Sequence, residues 1–315
     1  MTRPCTDFVV LNTGYKMPVL GFGTFQKGHD AGYKGILTAL KAGYRHIDTA
    51  AVYGTEEDVG RAVRDSGIPR EEIFITTKLG NGDHRDPFAA LNRSLETLGL
   101  DYVDLYLMHW PVALANKNVN PFSKEGIQQV DFGWNHVKTW ELMQELPKTG
   151  KVRSIGVSNY DTVHYKQLLD APTTNIIPAV NQVEAHPYLP ETKLLRASQK
   201  KGIVLTAYSP LGSADLSVLE DNDIAKLAKK YSANPAQITL SWQIQRGFAA
   251  IPKSSTPSRI ESNFQVVNLA PEDMETMNSI YKKHHQRRFR YAWPVKMYHD
   301  DDEWYDGNPP PSLGD

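Results

Sequence analysis

Residues 73–109 read IFITTKLGNGDHRDPFAALNRSLETLGLDYVDLYLMH. The stretch opens on an apolar run, Ile73–Thr77, and closes on another, Tyr102–Met108. Between them Asp86-Pro87 sets a capping side chain ahead of a proline at the first helical position, and Leu91, Leu95 and Leu98 share one helical face. Strand, helix and strand in that order form a crossover unit, which returns the chain to start a second strand parallel to the first. Lys78 follows the first of these strands and His109 the second.

The same rhythm extends in both directions. Val19–Phe22 and Tyr44–Ile47 precede the unit, and Val152–Val157, Ala179–Val183, Ile203–Ala207 and Phe248–Ile251 follow it. Several of these runs are apolar on both alternations, as expected of strands covered on both faces. Thr55 with Asp58 reads as a capping box, and Asn234-Pro235 starts another helix ahead of Ile238 and Trp242. Eight strands alternating with helices predict an α/β chain folded as a (β/α)8 TIM barrel, with a doubly wound sheet as the alternative. Phe8–Leu11, Asn12–Tyr15 and Lys16–Met17 suggest a hairpin before the first barrel strand. Pro111–Asn135 lacks periodicity and is long for a loop without a role. No linker divides the chain, so residues 1–315 read as a single domain. The barrel occupies about 18–268, and a tail over 269–315 lies across the active-site face.

Composition narrows the function. Of 315 residues, 40% are hydrophobic and 23% charged, an ordinary globular balance, and the net charge of −1 gives no general attraction to nucleic acid or anionic membrane. Cys5 is the single cysteine, which excludes an intrachain disulfide and a cysteine-based zinc site. No apolar run reaches spanning length, and Met1–Asp7 has no signal-like region. These features point to the cytoplasm and to no membrane partner; a monomer without a metal is expected.

In a barrel of this kind the chemistry sits at the carboxyl ends of the strands. Those ends carry Gly23-Thr24, Asp48, Lys78, His109, Ser158-Asn159, Gln182, Tyr208-Ser209 and Lys253-Ser254, and Tyr53 follows Asp48 by five residues. A phenol titrates near 10, too high to deliver protons readily at neutral pH; a nearby ammonium stabilises the phenolate and lowers that value. Asp48 would keep Lys78 charged, Lys78 would act on Tyr53, and His109 would orient a carbonyl oxygen.

At these residues the sequence resembles the aldo-keto reductases, from about Phe8 to Asn268. Gly43-Tyr44-Arg45-His46-Ile47-Asp48-Thr49-Ala50, continuing to Tyr53-Gly54, is similar to the family's first signature. Leu105–Pro111 with His109-Trp110-Pro111, Gly156-Val157-Ser158-Asn159 and Ile251-Pro252-Lys253-Ser254 resemble later ones. The resemblance implies a catalytic tetrad of Asp48, Tyr53, Lys78 and His109, and NADPH as cofactor. It implies that Ser158, Asn159 and Gln182 hold the nicotinamide carboxamide beside Gly23, Thr24 and Asp48, while Tyr208 stacks on the ring. Ser209, Leu211 and Ser213 would line the pyrophosphate path, and Lys253, Ser254, Thr256, Arg259 and Asn263 would surround the 2′-phosphate. Thr256-Pro257 reads as a helix start, where free N–H groups favour an anion. One departure is Ser262, where many members carry an acidic or amide residue beside the adenine. Trp140–Tyr160 looks most like fungal members acting on small hydroxy-aldehydes, ketones or sugar acids.

The expected substrate is therefore a small polar carbonyl compound or polyol, walled by Phe25, Tyr53, His109, Trp110 and Trp134, with Arg288 or Arg290 receiving a carboxylate or hydroxyls. Rival readings fit less well. A glycosidase needs paired carboxylates, and only Glu184 is suitably placed. His46-x-Asp48 lacks a second histidine pair for a metallohydrolase. A nucleotide-binding sensor would keep the cofactor motifs but has no use for the tetrad. The basic-aromatic run from His284 to Trp293 reads as a segment across the barrel mouth rather than a nucleic-acid surface.

Overall fold

The structure is a computed structural model that describes residues 1–25, 30–116, 119–121, 123–212, 218–284, 288 and 293–299. Ser213, Arg290 and the acidic run after His299 lie outside the described residues. Three short pieces stand apart from the main sheet: β1 (Arg3–Pro4), β2 (Phe8–Val10) and β3 (Lys16–Pro18). Eight strands then follow in chain order: β4 (Phe22–Gly23), β5 (His46–Asp48), β6 (Phe74–Leu79), β7 (Val103–Met108), β8 (Val152–Ser158), β9 (Val180–Glu184), β10 (Val204–Tyr208) and β11 (Ala249–Ala250).

Each is parallel to its sequence neighbour, in registers such as Asp48 opposite Thr76, Lys78 opposite Leu107 and Ser158 opposite Gln182. The sheet closes on itself. Leu20 bridges Ala250 in parallel, the Ala250 N–H donates to Val19 O at 2.7 Å, and the Gly21 N–H donates to Ala250 O at 2.9 Å. Closure excludes the doubly wound alternative and gives the expected barrel. Every position of β6 and β7 is buried, because the inner face fills the barrel and the outer face carries helices.

Outside lie α1 (Asp30–Ala42), α2 (Glu56–Asp65), α3 (Pro87–Leu98), α4 (Lys124–Ile127), α5 (His136–Met143), α6 (Thr162–Leu169) and α7 (Thr192–Lys200). After them come α8 (Asn222–Tyr231), α9 (Pro235–Gln245), α10 (Pro257–Asn263) and α11 (Pro271–Ser279), with β12 (Gln265–Val266) pairing antiparallel to β1. The caps explain where several begin. Asp86 accepts from the Ala89 N–H at 3.0 Å with Pro87 next in line, and Asn234 and Gln237 form a reciprocal capping box ahead of α9. Thr55 departs from its expected role. It precedes α2 but makes no capping bond, because its buried hydroxyl turns inward to Thr49 Oγ1 at 2.9 Å and Thr24 Oγ1 at 3.0 Å. Gly60 lets α2 lie against α3, since a Cβ there would stand 1.7 Å from the Leu98 carbonyl oxygen.

The amino-terminal hairpin forms as read, β2 antiparallel to β3, and it meets the barrel through Thr13 and Ser154 at 2.7 Å. The segment after 268 differs from a simple tail. It first builds α11, whose Met277 joins Ile224, Ile238 and Trp242 on the barrel wall, while Lys230 pairs with Asp273 at 2.7 Å. Met274, Met277 and Ile280 have helical spacing, a period hidden among charged neighbours. The later segment does cross to the long loop. Trp293 and Met297 pack with Trp110, Val112 and Leu114, and the loop itself contains α4 and a Leu114–Val130 bridge. Among the described residues no helix is long and apolar enough to cross a membrane.

Two buried histidines are expected to make the fold sensitive to acid. Burial pushes His84 down to about 3 and His136 down to about 4. Above the usual histidine value of about 6.5 neither state binds the proton, so these groups leave stability unchanged there. Below it the unfolded chain takes up protons that the folded chain refuses. Stability is therefore expected to fall between about pH 6.5 and pH 3–4, by several kcal/mol in total at roughly 1.4 kcal/mol per unit of pKa difference. Urea unfolding across that range measures the slope; a flat profile would mean that these rings are protonated in the folded protein.

Candidate active site

The carboxyl ends of the strands converge on one charged pair. Lys78, the fifth residue of β6, and Asp48, the last of β5, have side chains 0% and 2% exposed and an Nζ–Oδ1 distance of 2.5 Å. A buried ammonium needs compensation on every side. Lys78 also donates to Thr49 O at 2.8 Å, and the second Asp48 oxygen accepts from Gln182 Nε2 at 2.6 Å. Burial draws the Lys78 value down and Asp48 opposes that shift.

Tyr53 closes a single 3-10 turn, Ala51–Tyr53, that follows β5 and ends at Gly54 in the left-handed conformation. The turn brings the phenol back over the barrel mouth, with its ring centre 5.0 Å from Lys78 Nζ and its oxygen 3.4 Å from His109 Nε2. His109 is buried, and desolvation, followed by the Lys78 charge, holds it well below the usual histidine range. It is neutral at physiological pH, so its ring nitrogens can share one proton between donor and acceptor roles. An oxygen placed against both the phenol and the imidazole would meet two groups able to donate a proton, backed by one fixed positive charge.

Beside this group the ends of β8, β9 and β10 interlock. Ser158 Oγ donates to Gln182 O at 2.7 Å, Asn159 Nδ2 donates to His109 O at 2.9 Å, and Tyr208 OH donates to Asn159 Oδ1 at 2.9 Å. Asn159 and Ser209 hold positive φ angles of 63° and 47°, a backbone cost met only where the surroundings impose it. Thr24 is buried in the Thr49–Thr55 hydroxyl network, and its N–H donates to Asp48 O at 3.0 Å; no sequence signal marks Thr49 or Thr55 as a site residue. Gly23 donates its N–H to Pro252 O at 3.0 Å, and a Cβ on it would reach 3.0 Å from Ile251 O.

Further round the barrel, Lys253 and Arg259 are exposed at the two sides of the turn into α10, where the Thr256 N–H donates to Ser254 Oγ at 3.1 Å. Thr256 makes no side-chain cap; Asn263, at the end of α10, is buried, and Leu211 follows Ser209 into the partly buried loop after β10.

Of the aromatic residues expected as walls, Phe25 and Trp110 stand beside the tetrad. Phe25 stands edge-on to Tyr53 at 5.0 Å, and Trp110 lies between His109 and Trp293 at centroid distances of 6.4 and 6.0 Å. Trp134 is bound to the first turn of α5, donating to Thr139 Oγ1 at 2.9 Å beneath the Arg85 guanidinium at 4.5 Å. Arg288 differs from its expected role as an anion receptor. It is buried against Glu191 and lies over the Tyr298 ring at 4.3 Å, because a buried guanidinium requires a carboxylate of its own.

A closed parallel barrel carrying a phenol, a buried ammonium–carboxylate pair and a neutral imidazole at its mouth defines a barrel enzyme equipped to move a proton to or from a bound oxygen. The comparisons with known proteins specify which. Residues 19–282 match the family model for the aldo/keto reductase family, and the chain belongs to that family. It is 52% identical over 286 residues to aldehyde reductase YPR1 of Saccharomyces cerevisiae, covering 88% of this chain and 92% of that protein. It is 49% identical over 291 residues to glycerol 2-dehydrogenase (NADP(+)) of the same yeast, covering 90% and 93%. A solved aldo-keto reductase from a deep-sea metagenome library superposes with a TM-score of 0.79 at 40% identity, over 91% of this chain and 99% of that one.

Proposed function

We propose that the protein reduces the carbonyl group of small polar aldehydes and ketones to alcohols, using NADPH, in the cytoplasm. The observation that carries this reading is the convergence at the barrel mouth of two pairs, the half-buried Tyr53 hydrogen-bonded to His109 and the buried Lys78–Asp48 ion pair beneath the Tyr53 ring. Bound NADPH supplies the hydride. The protein's own part is to place the carbonyl oxygen against Tyr53 and His109 and to deliver a proton there.

Tyr53 gives up that proton, and the Lys78 ammonium stabilises the phenolate left behind. Asp48 and Thr49 O hold Lys78 in position, and neutral His109 directs a hydrogen bond at the same oxygen. Run backwards, the arrangement oxidises an alcohol, with Tyr53 taking the proton.

The cofactor assignment is supported by the chemistry of the donor set. Ser158, Asn159 and Gln182 offer hydroxyl and amide groups that both donate and accept, matching a carboxamide. Tyr208, which donates to Asn159 at 2.9 Å, would pack against the nicotinamide ring. Lys253 and Arg259 are exposed cations flanking a helix start, suited to a phosphate that NADH lacks.

Arg259→Ala is accordingly expected to weaken NADPH binding by about 1.5–3 kcal/mol, the range for a charge-assisted hydrogen bond, and to leave NADH binding nearly unchanged. Fluorescence titration with both cofactors measures this, and equal losses for the two would place Arg259 away from the phosphate. For the substrate, initial rates with glyceraldehyde and with a steroid ketone test the polar preference. The steroid proving the better substrate would contradict it.

A further inference from the structure

A second cluster of ligating side chains lies where the loop after β8 meets the carboxyl-terminal segment. Asp161 caps α6, His164 stands in its first turn, and His299 comes from the far end of the described chain. One Asp161 oxygen accepts from the His164 backbone N–H at 2.9 Å and lies 2.7 Å from His164 Nδ1. The other accepts from the His299 backbone N–H at 2.5 Å and lies 2.8 Å from His299 Nδ1. Asp161 and His164 are buried and His299 is half-buried, and one ligand atom from each lies within 4.8 Å of the other two.

We propose that Asp161, His164 and His299 form a binding site for a divalent transition-metal ion of the zinc type, which staples the carboxyl-terminal segment to the barrel mouth. Two imidazoles and one carboxylate make a nitrogen-rich set that suits zinc and its neighbours, whereas calcium and magnesium require six or more oxygens. Backbone amides fix both carboxylate oxygens, so the carboxylate keeps its place when the imidazoles turn from it to an ion. Ligands at 2.0–2.1 Å in a tetrahedron stand about 3.3 Å apart, so the two rings need close by no more than about 1.5 Å. Coordination through Nδ1 displaces the Nδ1 protons that now face Asp161, and each ring then keeps its proton on Nε2.

His136 and Tyr160 pack against His164 at 5.6 and 5.5 Å between ring centres and limit its movement. The ion would join residues 138 positions apart in sequence, and its binding energy would act directly on the ordering of the segment that carries Trp293.

The test uses the full chain without an affinity tag, stripped of metal by a chelator and then dialysed. Zinc chloride is titrated by calorimetry, and cobalt(II) serves as the visible-absorption probe. One ion per chain is expected, with affinity lowered at least about 100-fold in His164→Ala and in His299→Ala. Zinc should also slow proteolysis after residue 284 in the parent protein and not in His299→Ala, while circular dichroism shows both variants folded. No saturable uptake by the parent protein would overturn the proposal. So would uptake unchanged in both variants, which would leave Asp161 as a hydrogen-bonded clasp alone.

Discussion

Tyr53→Phe is expected to lower kcat for carbonyl reduction by about 10²–10⁴-fold, the usual contribution of a positioned general acid, while NADPH binding persists. The substitution removes one oxygen and keeps the ring, so the edge contacts with Phe25 at 5.0 Å and His109 at 5.5 Å survive. The loss should therefore fall on the chemical step rather than on the fold. Stopped-flow measurement of a single turnover separates the two, because it isolates that step from product release. A variant turning over within a few-fold of the parent would transfer the proton donor's role to His109 or to solvent.

Asp48→Ala is expected to damage both stability and catalysis. It strands a fully buried ammonium that has only Thr49 O left among the contacts described above, and breaking a buried pair from one side costs about 3–5 kcal/mol. Lys78→Met should be costly for the converse reason, although Asp48 keeps its bond from Gln182. The informative comparison is the double variant Asp48→Ala/Lys78→Met, which removes both charges at once. Stability should recover most of the loss in the double variant, whereas activity should remain as low as in the singles, since no ammonium is left to stabilise a Tyr53 phenolate. Urea midpoints and kcat measured on the three variants decide this. Additive stability losses would mean that the two groups are not coupled.

The barrel was legible because its strands announce themselves individually. Ile73–Thr77 and Tyr102–Met108 fall within two residues of the observed β6 and β7, and Asp86-Pro87 marks the helix between them. Asp48, Lys78 and His109 could be read from their places at successive strand ends and Tyr53 from its five-residue spacing after Asp48, and the structure brings the four together. What sequence could not supply was the direction of a side chain in a loop. Thr55 has the spacing of a cap and spends its hydroxyl inside the barrel mouth. Arg288 illustrates the same limit, since its partner Glu191 is 97 residues away and no local pattern joins them. The left-handed backbone at Asn159 and Ser209 also escaped, because neither residue is glycine.

The central claim is that hydride passes from the nicotinamide to a carbonyl carbon while this barrel mouth supplies the proton. The most direct measurement is a reaction of glyceraldehyde with NADPH carrying deuterium at both positions of the nicotinamide C4, followed by mass spectrometry of the product. Glycerol bearing one deuterium on the former aldehyde carbon, formed mole for mole with NADP+ and suppressed in Tyr53→Phe, is the predicted result. Cofactor oxidation without deuterium in the alcohol, or no cofactor oxidation with any small aldehyde, would contradict the account.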